Sequence, residues 1–248
     1  MTYNLIGDIH GRNSWRQLVR TDMINIFLGD YLDPYDRDNL QADSTEYDNL
    51  QDIIRFKQQH PETILLLGNH DLHYLWDEHY SRYNDEHAER YAQLIREHLH
   101  LFQAAYAIGD RVLVTHAGVT RPWLQLAGIS HQQSVSQLAE AICRCMSDEE
   151  SRHLFSVEST FHPDDSCGIS PTASPIWVRP HTLLDYGALT NHHGDTIYQV
   201  VGHTQISQIM QFDSCVFVDC LGTVPQSLRI TFGAAGEPIF TPLPAKIQ

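Results

Sequence analysis

The sequence carries little positive charge. Sixteen Lys and Arg stand against 31 Asp and Glu, a formal charge of −15 over 248 residues. A surface of that sign excludes the broad basic stripe that duplex nucleic acid requires, though not a small basic pocket. No apolar run approaches the length of a bilayer-spanning helix, so the chain reads as soluble, with no membrane partner. Met1-Thr2-Tyr3 leads straight into an apolar segment, without the charged and apolar regions of a secretory leader. Cysteine is scarce: Cys143, Cys145, Cys167, Cys215 and Cys220 form an odd set without zinc-ribbon spacing. That speaks against a disulfide framework and for a reducing, cytoplasmic setting. Cys143 and Cys145 diverge around a helical axis and read as separate thiols rather than a ligand pair. Linkers rich in Pro, Gly or Ser, charge blocks and internal repeats are also missing. Residues 1–248 are therefore expected to form a single domain of the α/β class.

What the chain does have is a recurring strand end. Leu5-Ile6-Gly7-Asp8-Ile9-His10-Gly11 is an apolar run stopped by an acid and a histidine one position apart. An apolar strand cannot absorb these in its interior, so both belong at its C-terminal end, where alternate positions point the same way. A single Asp-x-His reads as an ordinary polar turn, but four more runs end alike. They are Ile26-Phe27-Leu28-Gly29-Asp30, Ile64-Leu65-Leu66-Leu67-Gly68-Asn69-His70-Asp71, Val112-Leu113-Val114-Thr115-His116-Ala117-Gly118 and Tyr198-Gln199-Val200-Val201-Gly202-His203-Thr204. Oxygen and imidazole donors gathered without cysteine suit Zn, Mn or Fe cations.

Taken in order, Ser14 to Gln17 has capping-box spacing and opens a short helix, followed by a strand over Met23 to Leu28. Asp30 to Asp43 reads as a long functional loop. Asp43 to Glu46 again has capping spacing, and the helix that follows runs to His60, before Pro61. Strand-helix-strand-helix-strand implies parallel units with right-handed crossovers, so the strand C-termini share one edge and Asp8, His10, Asp30, Asn69 and His70 meet there. His73 to Leu101 is expected to be helical, with its histidines at 73, 79, 87, 98 and 100 as surface or packing residues. Phe102 to Ile108 and Arg111 to Thr115 read as a hairpin delivering His116. A helical stretch from His131 should restart at a capping box, Ser147 to Glu150. Residues 156–175 read as a surface loop shaping one wall of the site, followed by Trp177 and Arg179. Four β-rich segments, 205–211, 215–218, 228–232 and 238–240, suggest a second sheet.

In this order the blocks resemble the calcineurin-like metallophosphoesterase superfamily, and within it the phosphoprotein phosphatase branch with bacterial serine/threonine phosphatases and diadenosine tetraphosphate hydrolases. Gly7-Asp8-Ile9-His10-Gly11 resembles Gly-Asp-x-His-Gly, and Gly29-Asp30-Tyr31-Leu32-Asp33 the start of Gly-Asp-x-x-Asp-Arg-Gly. Gly68-Asn69-His70-Asp71, His116-Ala117-Gly118 and Gly202-His203-Thr204 resemble the remaining three. The resemblance implies a four-layer α/β/β/α sandwich of two mixed sheets flanked by helices, with a dinuclear metal centre of Mn, Fe or Zn. It assigns Asp8, His10 and Asp30 to one cation, and Asn69, His116 and His203 to the second, with Asp30 bridging. Two such cations roughly 3.5–4 Å apart share a hydroxide for in-line attack on phosphorus. His70 would then protonate the leaving oxygen, oriented by Asp33.

The sequence departs from the pattern after Asp33, where Pro34-Tyr35 replaces Arg-Gly. Arg12, Arg179 and Asn69 are the candidates for holding the phosphate, with Arg37 a further one. The expected function is hydrolysis of phosphomonoesters, on a phosphoprotein or a small metabolite. The alternatives are a dinucleoside polyphosphate hydrolase or phosphodiesterase on the same core, and a scaffold that lost catalysis. An intact ligand set disfavours the scaffold.

Overall fold

Along β1 (Tyr3–Ile6) the side chains alternate across the sheet. Leu5 joins Ile26, Leu28, Leu66, Val112, Val114, Val200 and Val216, whereas Ile6 joins Trp15, Leu18, Phe27, Leu50, Ile53 and Leu65. One period-2 pattern thus feeds two cores, the first between two sheets and the second beneath helices. Each fully buried Val, Leu or Ile in them is worth roughly 1.5–3 kcal/mol over its exposed state. The computed structural model describes residues 1–35, 44–156 and 168–246, with the backbone alone for Ser44 and Thr45.

After β1 come α1 (Trp15–Leu18), β2 (Ile24–Phe27), α2 (Ser44–Gln59), β3 (Ile64–Leu66), α3 (Asn69–Trp76), α4 (Ala88–Glu97) and β4 (Phe102–Gln103). β1 to β4 lie side by side and parallel, in registers such as Tyr3↔Ile24, Ile26↔Ile64 and Leu65↔Phe102. Their C-terminal ends therefore share an edge, and α3 starts from it. The second half comprises β5 (Ala105–Ile108), β6 (Val112–Thr115), α5 (Arg121–Leu126), α6 (Val135–Ser147), α7 (Pro180–Tyr186), β7 (Leu189–Thr190), β8 (Thr196–Val201), β9 (Met210–Phe212), β10 (Cys215–Phe217), β11 (Gln226–Phe232) and β12 (Pro238–Pro244). The first sheet has the order β12-β11-β1-β2-β3-β4 and the second β5-β6-β8-β10-β9, with β7 paired to β8. Both are mixed: β6, β8 and β10 are parallel, while β5, β9, β11 and β12 are antiparallel to their neighbours. Leu138 and Ile142 of α6 cover one part of the second sheet's outer face, and Leu183 of α7 covers another, at Val201 and Phe217. Two mixed sheets flanked by helices result.

Several local expectations are corrected. Ser14 makes no side-chain cap, because its backbone is already helical (φ −60°, ψ −23°) rather than extended as a capping residue's is. Asp43 lies outside the described residues. The stretch 73–101 is not one helix: Asp77 takes a left-handed conformation (φ 56°) that ends α3, and Tyr83 then packs on Tyr74 and His79 instead of continuing a helical face. Phe102 to Ile108 is divided between the two sheets at Ala104. The capping box of α6 is Ser134 with Gln137, while Ser147 closes the helix by donating back to Cys143 O at 3.0 Å. Of the expected surface loop, residues 173–175 are buried rather than superficial, and residues 157–167 lie outside the described residues. Of the four late β segments, β9 and β10 join the second sheet, but β11 and β12 extend the first, since β11 pairs with β1 along Tyr3↔Ile230.

Candidate metal centre and active site

Two glycines let the strand ends converge. A Cβ at Gly68 would sit 2.1 Å from Asp30 Oδ1 and 2.7 Å from His116 Cε1, and one at Gly202 would sit 2.2 Å from Asp8 Oδ1. No other residue permits that approach. Asp8, His10 and Asp30 form one group whose ligand atoms lie within 4.8 Å of one another, and Asp30, His116 and His203 form another. All five are buried, and Asp30 is common to both groups. Asn69, the first residue of α3, completes the second group, its Oδ1 3.1 Å from His116 Nε2 and 3.0 Å from His203 Nδ1.

The backbone decides which ring nitrogens are available. His10 Nδ1 donates to Leu32 O at 2.9 Å, His116 Nδ1 to Leu28 O at 2.7 Å and His203 Nε2 to Trp177 O at 3.1 Å. Each carbonyl consumes one N–H and leaves the other nitrogen facing inward. The inward atoms, His10 Nε2 and His116 Nε2, lie 3.5 and 3.4 Å from Asp30 Oδ2. His203 Nδ1 faces the amide oxygen of Asn69, so acceptor meets acceptor. A converging set of oxygens and imidazole nitrogens, with no thiolate among them, fits a pair of hard or borderline cations.

The electrostatics show the same deficit of positive charge. Burial, with Asp219 and Asp30 beside it, pushes Asp8 well above the usual carboxylate range, and burial pushes Asp219 up to about 6 despite Arg12. Burial alone would lower His116, but the carboxylates of Asp30 and Asp8 outweigh it and raise the imidazole to about 10. A proton on His116 thus supplies charge where a cation fits. Burial holds His10 down at about 3 although Asp30 opposes it.

Beside this centre lies a second assembly. Asp33 Oδ2 accepts the Nδ1–H of His70 at 2.8 Å and lies 2.8 Å from His73 Nε2, while Tyr74 OH donates to Oδ1. Asp33 is fully buried, and its carboxyl is held below the ordinary range because these bonds from His70 and His73 outweigh burial. With Nδ1–H committed to Asp33, His70 keeps Nε2 as its second ring nitrogen, and here it accepts from Arg82 Nη2 at 2.8 Å. Asp71 closes the frame by accepting the backbone N–H groups of Asp30, Tyr31 and Gly68 at 2.8, 2.9 and 2.9 Å.

A model of calcineurin-like phosphoesterases matches residues 1–207. The chain belongs to the calcineurin-like phosphoesterase family. It is a metallophosphoesterase, a hydrolytic enzyme of phosphoesters. Among solved structures it resembles a protein serine/threonine phosphatase from Saccharomyces cerevisiae with similarity to human phosphatase PP5. The TM-score is 0.55 at 15% identity, covering 100% of this chain and 81% of that one, a likeness of fold. A comparison with curated proteins finds no match. The His/Asp groups above are the candidates for the family's dinuclear metal centre.

In this metallophosphoesterase the two described candidate arginines stand beside the strand ends that carry Asp8 and His203. Arg12 Nη1 donates to the backbone oxygens of Asp8 at 3.3 Å and Ile9 at 3.5 Å, and its charge lowers Asp219. Arg179 Nη1 reaches Thr204 Oγ1 at 3.3 Å, on the His203 side. Arg37 lies outside the described residues. Three site residues escape the sequence reading. Asp219 follows the β10 run Val216-Phe217-Val218, the very pattern of the other strand ends but without an adjacent glycine. His73 stands one turn beyond His70, an i,i+3 spacing that puts both on Asp33. Arg82 comes from the turn after α3, and no local pattern announces it.

Proposed function

We propose that this enzyme hydrolyses phosphomonoesters, with Asp8, His10 and Asp30 holding one cation and Asp30, Asn69, His116 and His203 the other. The observation that carries the reading is the committed outer N–H of His10, His116 and His203, which turns their second nitrogens onto Asp30 and Asn69. Oxygen and imidazole donors favour Mn, Fe or Zn over thiophilic ions. Once bound, such a pair supplies Lewis-acid charge for the phosphoryl oxygens and acidifies water toward neutral pH. The chain's own residues do the rest. Asp33 fixes the ring of His70 so that a proton carried at Nε2 is delivered to the leaving oxygen. Tyr74 and His73 hold Asp33 still, and Arg12 steadies the backbone around Asp8. The described chain is read as one working unit, since β11 and β12, beyond the matched residues, pair onto β1. The four described cysteines are free, which agrees with a reducing compartment such as the cytoplasm. No described helix is long and apolar enough to cross a membrane.

The deciding experiment compares Mn-loaded wild type with Asp8→Asn on an aryl phosphomonoester, a phosphoserine peptide and diadenosine tetraphosphate. Cleavage of the two monoesters that depends on metal and on Asp8 supports the proposal. Preferential cleavage of the dinucleotide moves the function to a polyphosphate hydrolase, and inertness toward all three would leave only a scaffold.

A further inference from the structure

Arg82 stands where the chain lost an arginine. Position 34, which holds arginine in the family pattern, is Pro34, followed by Tyr35. Arg82 Nη1 donates to the backbone oxygen of Asp33 at 3.1 Å and Nη2 to His70 Nε2 at 2.8 Å, and its guanidinium carbon lies 3.8 Å from the centre of the Tyr35 ring. That ring meets His10 edge-on at 4.7 Å. Tyr35 thus connects a candidate metal ligand to the guanidinium.

The backbone shows how Arg82 is brought there. Seven described non-glycine residues have positive φ: His10, Asp30, Asp33, Asp77, Arg82, His203 and Asp213. Four of these are site residues already named, and Asp77 and Asp213 terminate a helix and a hairpin. Short Asp and His side chains tolerate that region; Arg82, at φ 68°, holds it as the third residue of the turn closed by Tyr83 N–H to Tyr80 O at 3.1 Å, a place that usually takes Gly or Asn rather than arginine. Strain of this kind persists where surroundings over-determine it, typically at functional sites. Here the surroundings are Asp33, His70 and Tyr35.

We infer that Arg82 is the phosphate-binding guanidinium of this enzyme, replacing the one absent at position 34, with Tyr35 as its platform. The inference rests on the phosphomonoester reading. A planar guanidinium resting on a ring presents a fixed fork that matches two phosphoryl oxygens, which an ammonium cannot, and an incoming phosphoryl group would take over the Nη2 donor that His70 Nε2 accepts here. A phosphoryl oxygen arriving at His70 Nε2 meets Arg82 Nη2 as well, since the two nitrogens are 2.8 Å apart. Arg12 lies farther from the same ring, at 5.4 Å, and its Nη1 donates to the Asp8 and Ile9 backbone rather than toward His70.

The test titrates inorganic phosphate into Mn-loaded full-length wild type, Arg82→Ala, Arg82→Lys, Tyr35→Leu and the surface control Arg55→Ala, and measures their kinetics on an aryl phosphomonoester. Arg82→Ala should bind phosphate roughly ten- to a hundredfold more weakly, the worth of one charge-assisted contact, at unchanged metal stoichiometry. Arg82→Lys should fall between, Tyr35→Leu should share part of the loss as a raised KM, and added methylguanidinium should restore Arg82→Ala. Equal phosphate affinity in wild type and Arg82→Ala, or in wild type and Arg82→Lys if the alanine variant does not fold, overturns the inference. Absence of all phosphoester hydrolysis by wild type would overturn the proposed function instead, and the phosphate titration would still decide Arg82.

Discussion

Asp33 grips His70 through a 2.8 Å hydrogen bond from Nδ1 to Oδ2, on a carboxylate with no exposure of its own. The bond leaves Nε2 as the ring nitrogen that the proposed acid role requires. Asp33→Asn can present an amide N–H to Nδ1, which reverses the tautomer that the carboxylate enforces. Turnover of an alkyl phosphate should drop on the order of a hundredfold, the usual worth of a positioned acid. An aryl phosphate with a good leaving group should lose far less. Metal content, measured by elemental analysis, should stay at the wild-type value. Equal losses on both substrates would remove His70 from the role of acid.

Asp71 performs a different task. It draws Asp30, Tyr31 and Gly68 together by accepting three backbone N–H groups, all buried. Asp71→Ala leaves these donors without partners at roughly 1–3 kcal/mol each, less whatever local relaxation recovers. Urea unfolding of the metal-free variant should show a loss of several kcal/mol, and the loaded variant should hold fewer than two cations. A variant as stable as wild type would mean that water or another acceptor serves these amides equally well.

How far the site is legible in the sequence depends on how each residue is brought to it. Asp8, His10, Asp30, His116 and His203 announce themselves because an apolar strand must end where a polar donor begins, and because parallel strands share one edge. Asp219 obeys the same rule, yet without a neighbouring glycine the Val218-Asp219-Cys220 step looks like any strand end. Arg82 is placed by an irregular turn packed on Tyr35, a contact with no periodicity to betray it. The second sheet is misjudged for a related reason. Alternation along Gln226 to Phe232 says that a strand forms, but the choice of β1 as its partner is settled by the pairing Tyr3↔Ile230, a contact spanning almost the whole chain.

Gly68 offers a direct probe of the shared carboxylate. Gly68→Ala would drive a methyl group to 2.1 Å from Asp30 Oδ1 and 2.7 Å from His116 Cε1, so Asp30 must shift. Because Asp30 belongs to both groups, both cations should be affected together. Far-ultraviolet circular dichroism should stay close to wild type, whereas bound Mn should fall well below two per chain. Loss of a single cation with the other intact would argue against sharing.

Protons and cations should compete for this centre, with a sign that can be worked out. Without metal, His116 is raised to about 10, while burial, with Asp30 beside it, raises Asp71 to about 8. In the unfolded chain both groups have their ordinary values, so between about pH 6.5 and 8 the metal-free fold holds protons that the unfolded chain has released. The stability contributed by His116 is fully present below its unfolded value and lost as pH rises through about 10. That of Asp71 is lost as pH rises through about 8. Metal-free Tm should therefore fall from pH 6.5 to 9. Cation binding must displace the His116 proton, so affinity should strengthen over the same range. The gap in Tm between Mn-loaded and chelator-treated protein should widen as pH rises, to the equivalent of a few kcal/mol near a hundredfold excess over the dissociation constant. A gap independent of pH would show that His116 carries no proton for a cation to replace.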